Sequence, residues 1–356
     1  MLRRYDALDA DLVGEWDELA DRVGAGPFHR PGWFAAWWAA FGAGRMEVLT
    51  TRADGRLTGV TVMSRRRGGL VSASNWHTPM FGLLAEDDRA AGELARGMLR
   101  RTRHSLTVRF VDEEDRLTEP ALAGAARGGL RRRVLERSPY VDTRGDWASY
   151  ETTLGARRRR ELRRRRRRLA ELGRPTTEVY DGGVDLDRLD LERLLDEGFS
   201  VEGSGWKDER GTAIRARPET RRFYRQVASW AAGRGWLVLG FLRLDGRPVA
   251  FDYCLEHGGT HYLLKTGYDP ALGHLAPGLL LREDMIRRAY ATAVSTYDFL
   301  GDANDWKLAW TDRAHERREV RAYPPSAVGT VARLADTYAR PLAGRAVRAV
   351  RRRGSS

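Results

Sequence analysis

From position 11 to 41 the apolar residues recur at helical spacing. Leu12, Trp16 and Leu19 fall on one face, and PGWFAAWWAAF continues the pattern after Pro31. Strand signals follow at MEVLTTR, LTGVTVMSRR and SLTVRFV, with a helix near 88–101 between the last two. RRRVLERSPYVDT, residues 131–143, reads as a further strand that ends near Gly145. A second series opens with RRRRELRRRRRRLAELG, residues 157–173. Here Leu162, Leu169 and Leu172, with Leu154 before them, mark a narrow apolar stripe, and Gly173 supplies a stop. TTEVYDG follows as a strand, DLDRLDLERLLDEGFSVE as a helix, and residues 218–234 as another. WLVLGFLRLDG, RPVAFDYCLEHGG and THYLLKTGYDP are three adjacent strands, the first two joined by the turn LDGRP. A helix from Pro277 to Ala293 leads to the short strand STYDFLGD, and the last strand lies near REVRAYP. The pattern predicts an α/β (α+β) protein of two mixed-sheet units with flanking helices, 1–150 and 151–325, and a basic helical tail, 326–356. Both units run helices, strand meander, helix, strands, which permits duplication of one unit.

Charge changes this picture less than its size implies. The net charge is +13, yet Arg157–Arg168 alone carries ten arginines and one glutamate, and Arg340–Arg353 six arginines and no acid. Those two segments hold +15, so the remaining body is slightly acidic. A basic isoelectric point is therefore poor evidence for a surface that coats nucleic acid generally. The arginines have no interleaved aromatics, as a single-strand platform would need. Of 62 cationic residues only three are lysines, Lys207, Lys265 and Lys307, where a compact titratable ammonium is worth noting. A single cysteine, Cys254, excludes an intrachain disulfide and fits a reducing cytoplasm. The longest apolar run, FAAWWAAF, is too short to span a bilayer.

Four stretches are candidates for chemistry. In HYLLKTGYDPALGHLAPGLLLREDMI a strand ends at Tyr268, a Gly/Pro loop follows, and a helix starts near Pro277–Gly278. Free N–H groups at such a start suit a diphosphate; an ordinary strand-to-helix turn would read the same. In STYDFLGDANDWKLAW, Asp298 is a base or an ammonium holder, or else caps the next turn and pairs with Lys307, which has Asp305 as a second choice. VEGSGWKDERGTAI places Glu202, Trp206 and Lys207 in a Gly-rich connection, where a Trp closing a core is the plainer reading. On the strand VAFDYCLE, Asp252, Cys254 and Glu256 share a face that meets either solvent or a cleft. The seven histidines offer no convincing metal set, since His257 and His261 straddle a GG turn. G-x-S-x-G, Walker A and G-x-G-x-x-G motifs are absent from the sequence.

Taken in order, these stretches resemble the GNAT-like acetyltransferases of the CelD/BcsL group, relatives of the FemAB peptidyl transferases. The resemblance begins with WDELADRVGAGPFHRPGWFAAWWAAFG and continues through the arginine helix, GSGWKDERGTAI, LDGRPVAF, LAPGLLL and YDFLGDANDWKLAW. Trp306 stands where that group usually has tyrosine. The resemblance implies a duplicated GNAT-like acyltransferase fold, with a degenerate first unit and the active site in the second. It implies acyl-CoA, acetyl-CoA in the simplest case, as co-substrate and no metal. The diphosphate would meet Tyr268, Gly273, His274, Leu275, Ala276, Pro277, Gly278 and Leu279. The thioester carbonyl would be polarised by N–H groups of the strand 260–268. Asp298, Glu202 and Asp252 become candidate bases, and Trp206, Lys207, Lys265 and Lys307 candidate substrate contacts. The acceptor would be an amine of a sugar or of a cell-envelope or polysaccharide precursor. An aminoacyl-tRNA-dependent FemAB-like transferase is the alternative, in which the arginine helix grips RNA; the sequence lacks the coiled-coil insertion of that group. A non-enzymatic nucleic-acid-binding protein is the third reading, without a recognisable readout motif.

The tail carries one further expectation. Val328, Val331, Leu334 and Tyr338 form a helical stripe, and Leu342, Val347 and Val350 lie among arginines. Such a helix either rests on anionic lipid at the inner face of a membrane or packs on its own unit.

Overall fold

The computed structural model describes residues 2–67, 69–127, 129–182, 187–204 and 214–339, and the chain divides into two compact units. Unit 1 takes residues 1–34, 42–135 and Glu316 onwards; unit 2 takes residues 35–41 and 136–315. The crossings at 135/136 and 315/316 lie inside strands, where no Gly/Pro-rich loop marks them, whereas the sequence pattern placed junctions at 150 and 325.

The chain opens with β1 (Arg3–Tyr5), α1 (Ala10–Arg22), α2 (Pro31–Phe41), β2 (Arg45–Ala53), β3 (Arg56–Arg66), β4 (Gly69–Ser72) and β5 (Leu84–Ala85). Next come α3 (Asp88–Arg100), β6 (Ser105–Asp112), α4 (Thr118–Ala126) and β7 (Leu130–Asp142). Unit 2 continues with α5 (Trp147–Thr153), α6 (Gly155–Glu171), β8 (Pro175–Tyr180), α7 (Arg188–Glu202) and α8 (Pro218–Ala232). Its meander is β9 (Leu237–Leu244), β10 (Arg247–His257) and β11 (Thr260–Tyr268). A 3-10 turn (Pro270–Leu275) leads to α9 (Pro277–Ala291), β12 (Thr296–Asp298) and α10 (Asp305–Leu308). The chain re-enters unit 1 through β13 (Ala314–Ala322), α11 (Ala327–Leu334) and a π turn (Ala335–Ala339).

In unit 1, β1 to β4 pair antiparallel in sequence, β4 pairs parallel with β6, and β13 lies between β6 and β7. Leu57 to Ser64 of β3 are buried on both faces, as expected of an inner strand. Trp16 of α1 packs on Phe34, which meets Phe81 edge-on, and the Trp16 indole N–H donates to the His29 carbonyl at 2.8 Å. Burying these rings gives α1 its place, since its polar face adds little.

In unit 2 the order is β7, β12, β11, β10, β9, β8. β8 to β11 are antiparallel neighbours, β11 and β12 run parallel, and β12 is antiparallel to the end of β7. One apolar cluster joins α6, α9 and the sheet through Leu162, Leu169, Val238, Cys254, Leu281 and Met285. The arginine-rich segment is thus an amphipathic helix docked by two leucines. Leu172 does not complete the stripe: it is the cap beyond the last helical residue and is 55% exposed.

The face of β10 carrying Asp252, Cys254 and Glu256 meets neither solvent nor open cleft. α9 covers it, and Arg282 and Arg288 of that helix pair with Asp252 and Glu256. Val328, Val331, Leu334 and Tyr338 are all exposed rather than packed on unit 1. Leu342, Val347 and Val350 lie outside the described residues. None of the described helices is long and apolar enough to cross a membrane.

Candidate active site

β11 and β12 stay paired for only three residues, Thr260–Tyr262 against Thr296–Asp298. β12 ends there because Leu300 and Gly301 take left-handed conformations (φ +50° and +59°) that turn the chain away. β11 continues to Tyr268, held on its other edge by β10, with an irregularity at Leu264 between the pairs Cys254/Leu263 and Tyr253/Lys265. Past Tyr262, one edge of β11 therefore has no strand partner among the described residues. A cavity of about 340 Å³ opens along this edge. Thr266, Gly267 and Tyr268 form one wall, Gly278, Leu279 and Arg282 of α9 another, and Glu202 and Trp306 close it.

The turn before α9 is built by local chemistry. Asp269 accepts from the Ala271 N–H at 3.0 Å and caps the 3-10 turn, while Arg247 pairs with Asp269 at 2.6 Å. Ala276 links turn to helix at φ +50°, an uncommon conformation for a residue with a Cβ. Pro277 then starts α9 without an N–H to satisfy. Gly273 and Gly278 flank the Tyr268 ring: a Cβ would sit 3.6 Å from it at Gly273 and 3.3 Å at Gly278. At Gly267 a Cβ would lie 2.3 Å from Glu202 Cα, so glycine lets α7 close against β11. Tyr268, Gly273, Ala276, Gly278 and Leu279 line the cavity. His274, Leu275 and Pro277 do not: His274 is exposed, Leu275 belongs to the core, and Pro277 is buried.

The candidate acids fare differently. Glu202, at the end of α7, lines the cavity while 2% exposed, and its Oε2 accepts from the Ile214 N–H at 2.8 Å. Asp252 is fully buried and accepts from both terminal nitrogens of Arg282, at 2.6 and 2.7 Å, so it reaches the cavity only through that arginine. Asp298 is 2% exposed and accepts from Ser138 Oγ at 2.9 Å and the Leu300 N–H at 2.8 Å, fixing the turn after β12. Lys307 is buried and donates to the carbonyls of Leu300 and, at 2.8 Å, Asp302. Burial pushes its pKa down to about 8, against the attraction of Glu136, Asp298 and Asp302. Its ammonium bonds to main-chain carbonyls, with Asp298 acting at longer range and Asp305 not among its partners. Lys265 stands 5.4 Å from the Tyr224 ring and is not in the cavity wall. Trp206 and Lys207 lie outside the described residues.

Arg282 is the site residue the sequence reading missed. It is 1% exposed, lines the cavity, bonds Thr266 Oγ1 at 3.1 Å and Tyr297, and lies 5.7 Å from the Trp306 ring. Burial alone would lower its pKa, but Asp252 holds it above the usual value. The helical period did carry a signal: Arg282 follows Gly278 by four residues, hence on the same face of α9.

Residues 156–308 match the family model described as an acetyltransferase (GNAT) domain. No curated protein matches the chain. Among solved structures, the C-terminal domain of a putative lysylphosphatidylglycerol synthetase from Agrobacterium fabrum is similar at 14% identity and a TM-score of 0.56, covering 94% of this chain and 96% of that one. A conserved protein of unknown function from Bacteroides thetaiotaomicron gives 11% and 0.60, covering 90% and 100%. FemX gives 10% and 0.57, covering 89% and 96%. At such identities the likeness is one of fold. The match to an acetyltransferase (GNAT) domain thus lies within unit 2 and includes every residue named in the cavity wall.

Proposed function

We propose that unit 2 transfers an acyl group, acetyl in the simplest case, from acyl-CoA to an amine of a sugar or cell-envelope precursor. The resemblance to the CelD/BcsL group points to that acceptor class. The observation that carries the reading is the separation of β11 from β12 beside the start of α9. It leaves strand N–H groups facing a cavity whose far wall begins a helix with glycine and proline. A CoA diphosphate is suited to the α9 start, where the positive end of the helix dipole and glycine backbone favour an anion. The thioester carbonyl then lies along the free edge of β11, whose N–H groups stabilise the developing oxyanion. The amine lone pair attacks the carbonyl carbon, the C–S bond breaks, and its electron pair leaves with sulfur. Glu202 is the carboxylate in the cavity wall and the preferred acceptor of the amine proton, which can pass to the departing thiolate. Arg282, fixed by Asp252, positions Thr266 and Trp306.

Aminoacyl transfer from tRNA is the second reading, and one observation favours it. Arg157, Arg160, Arg163, Arg167 and Arg168 are exposed on α6 and have no acidic partner among the described residues. Thermal unfolding with acetyl-CoA, longer acyl-CoAs and charged tRNA separates the two. Ligand at about a hundredfold its Kd adds roughly 2.7 kcal/mol of stability. A shift with a CoA ester supports the first reading, and its absence with every ester rejects it. Binding of tRNA that weakens steeply with salt supports the second. Gly278→Asp is expected to abolish the CoA shift while keeping the fold, because aspartate suits a helix start but repels a diphosphate. Undiminished donor affinity in that folded variant would remove this turn from the site.

A further inference from the structure

The end of unit 1 is docked the wrong way round for an ordinary amphipathic helix. Over residues 327–338 the inward residues are Gly329, Ala332 and Asp336. The large apolar residues point away: Val328, Val331, Leu334 and Tyr338 are 48%, 65%, 47% and 65% exposed. Among the described residues nothing in unit 1 covers them, and their helical alignment suits an occupant outside it. What anchors the helix is charge. Asp336, on its inner side, accepts from Tyr323 Oη at 2.8 Å and from Arg321, while Arg131 donates to the Asp336 carbonyl. These contacts tie it to an arginine cluster on β6, β13 and β7. Glu319 is shared by Arg109 at 3.0 Å, Arg321 at 3.4 Å and Arg133 at 3.5 Å, and Arg132 pairs with Glu119. Five guanidiniums thus surround three carboxylates, an excess of two positive charges around a cavity of about 310 Å³. Arg132 and Arg133 remain 51% and 63% exposed. The sequence that follows, residues 340–356, adds six arginines and no acid.

We propose that this face docks unit 1 on an anionic lipid bilayer, with the Val328–Tyr338 stripe entering the headgroup boundary and the arginine cluster meeting lipid phosphates. An aliphatic stripe on a helix anchored to a cluster with two positive charges in excess is complementary to such a surface. A second copy of the chain would bring two cationic clusters together, and nucleic acid would find one ring, Tyr338, beside three aliphatic residues rather than a stacking platform. Guanidinium forks match phosphate oxygens in pairs, which a diffuse counterion cloud would not require.

The test is co-sedimentation of the full chain with vesicles of phosphatidylcholine alone and of equimolar phosphatidylcholine and phosphatidylglycerol. The protein is expected in the pellet only with the anionic vesicles. Val331→Glu with Leu334→Glu should weaken binding by at least about tenfold, and Arg132→Gln with Arg133→Gln by about fivefold for each arginine. All four positions are exposed, so circular dichroism and melting should match the parent. Val328→Ser with Tyr338→Ser is the milder pair that repeats the stripe test should the glutamates disturb the helix. Equal binding to both vesicle types, or to neither, overturns the proposal. So does undiminished binding by both stripe variants, which would assign the effect to the terminal arginines alone. A parent protein that is dimeric by sedimentation and becomes monomeric on substituting the stripe, or that binds RNA and no vesicle, overturns it as well.

Discussion

Asp252 and Arg282 show how one ion pair serves both the interior and the site. Each is at most 1% exposed, and their two short hydrogen bonds offset the cost of taking both charges out of water. Removing one partner leaves the other stranded. Arg282→Met is therefore expected to cost about 3–5 kcal/mol, because a buried carboxylate loses its counter-charge. Adding Asp252→Leu should recover most of that loss, and urea unfolding of the two single variants and the double measures it. A double variant no more stable than Arg282→Met would show that Thr266 and Tyr297, rather than the carboxylate, hold the arginine's worth. Turnover that stays low in a restored double variant separates the arginine's place in the cavity from its place in the fold.

At the level of elements, α6 illustrates what local pattern conveys. Leu162 and Leu169 are buried in the unit 2 core, and Leu172 is not. Leu169→Ala should cost about 2–5 kcal/mol and Leu172→Ala less than about 0.5 kcal/mol, checked by the same unfolding experiment. Comparable losses at both positions would mean that the stripe continues past the helix end. Apolar runs of strand length bounded by turn residues made β2, β3, β6 and β9 to β11 legible in the sequence, and Pro277 and Gly278 announced α9. β4 and α5 escaped because four and seven residues give too few periods. α4 escaped because TEPALAGAA has small residues on every side. The fate of Asp252 was illegible for another reason: its face is decided by α9, thirty residues on, whose Arg282 and Arg288 answer the carboxylates of β10. The sequence nominates Glu202 from a Gly-rich connection, whereas it is the last residue of α7, and the closure of that helix on Gly267 puts it in a cavity wall. Local spacing can nominate such residues; long-range pairing chooses among them.

Considered as a whole, the chain contains the same strand–helix–strand step twice. In unit 1, β4 leads through the short β5 and then α3 to the parallel strand β6; in unit 2, β11 leads through α9 to β12. The two helices begin differently. α9 starts Ala-Pro-Gly with no acid in its first turn. α3 starts Glu86-Asp87-Asp88, and Asp87 already accepts from the Ala90 N–H at 2.7 Å. Asp87 and Asp88 thus occupy the positive end of α3, and Asp87 satisfies one of its N–H groups, leaving an anionic donor repelled there. Of these two helix starts, the proposed donor site requires that of α9, where no acid stands in the first turn. Calorimetric titration with acyl-CoA is expected to give one site per chain, and none for Gly278→Asp. Asp87→Ala should cost about 1 kcal/mol of stability by uncapping α3. It should leave the stoichiometry at one, since Asp88 still repels the diphosphate, whereas Glu86 is neutralised by Arg22 and Arg56. Two sites per chain in the parent protein, or one surviving site in Gly278→Asp, would instead make α3 a working donor site and overturn the asymmetry argued from these first turns.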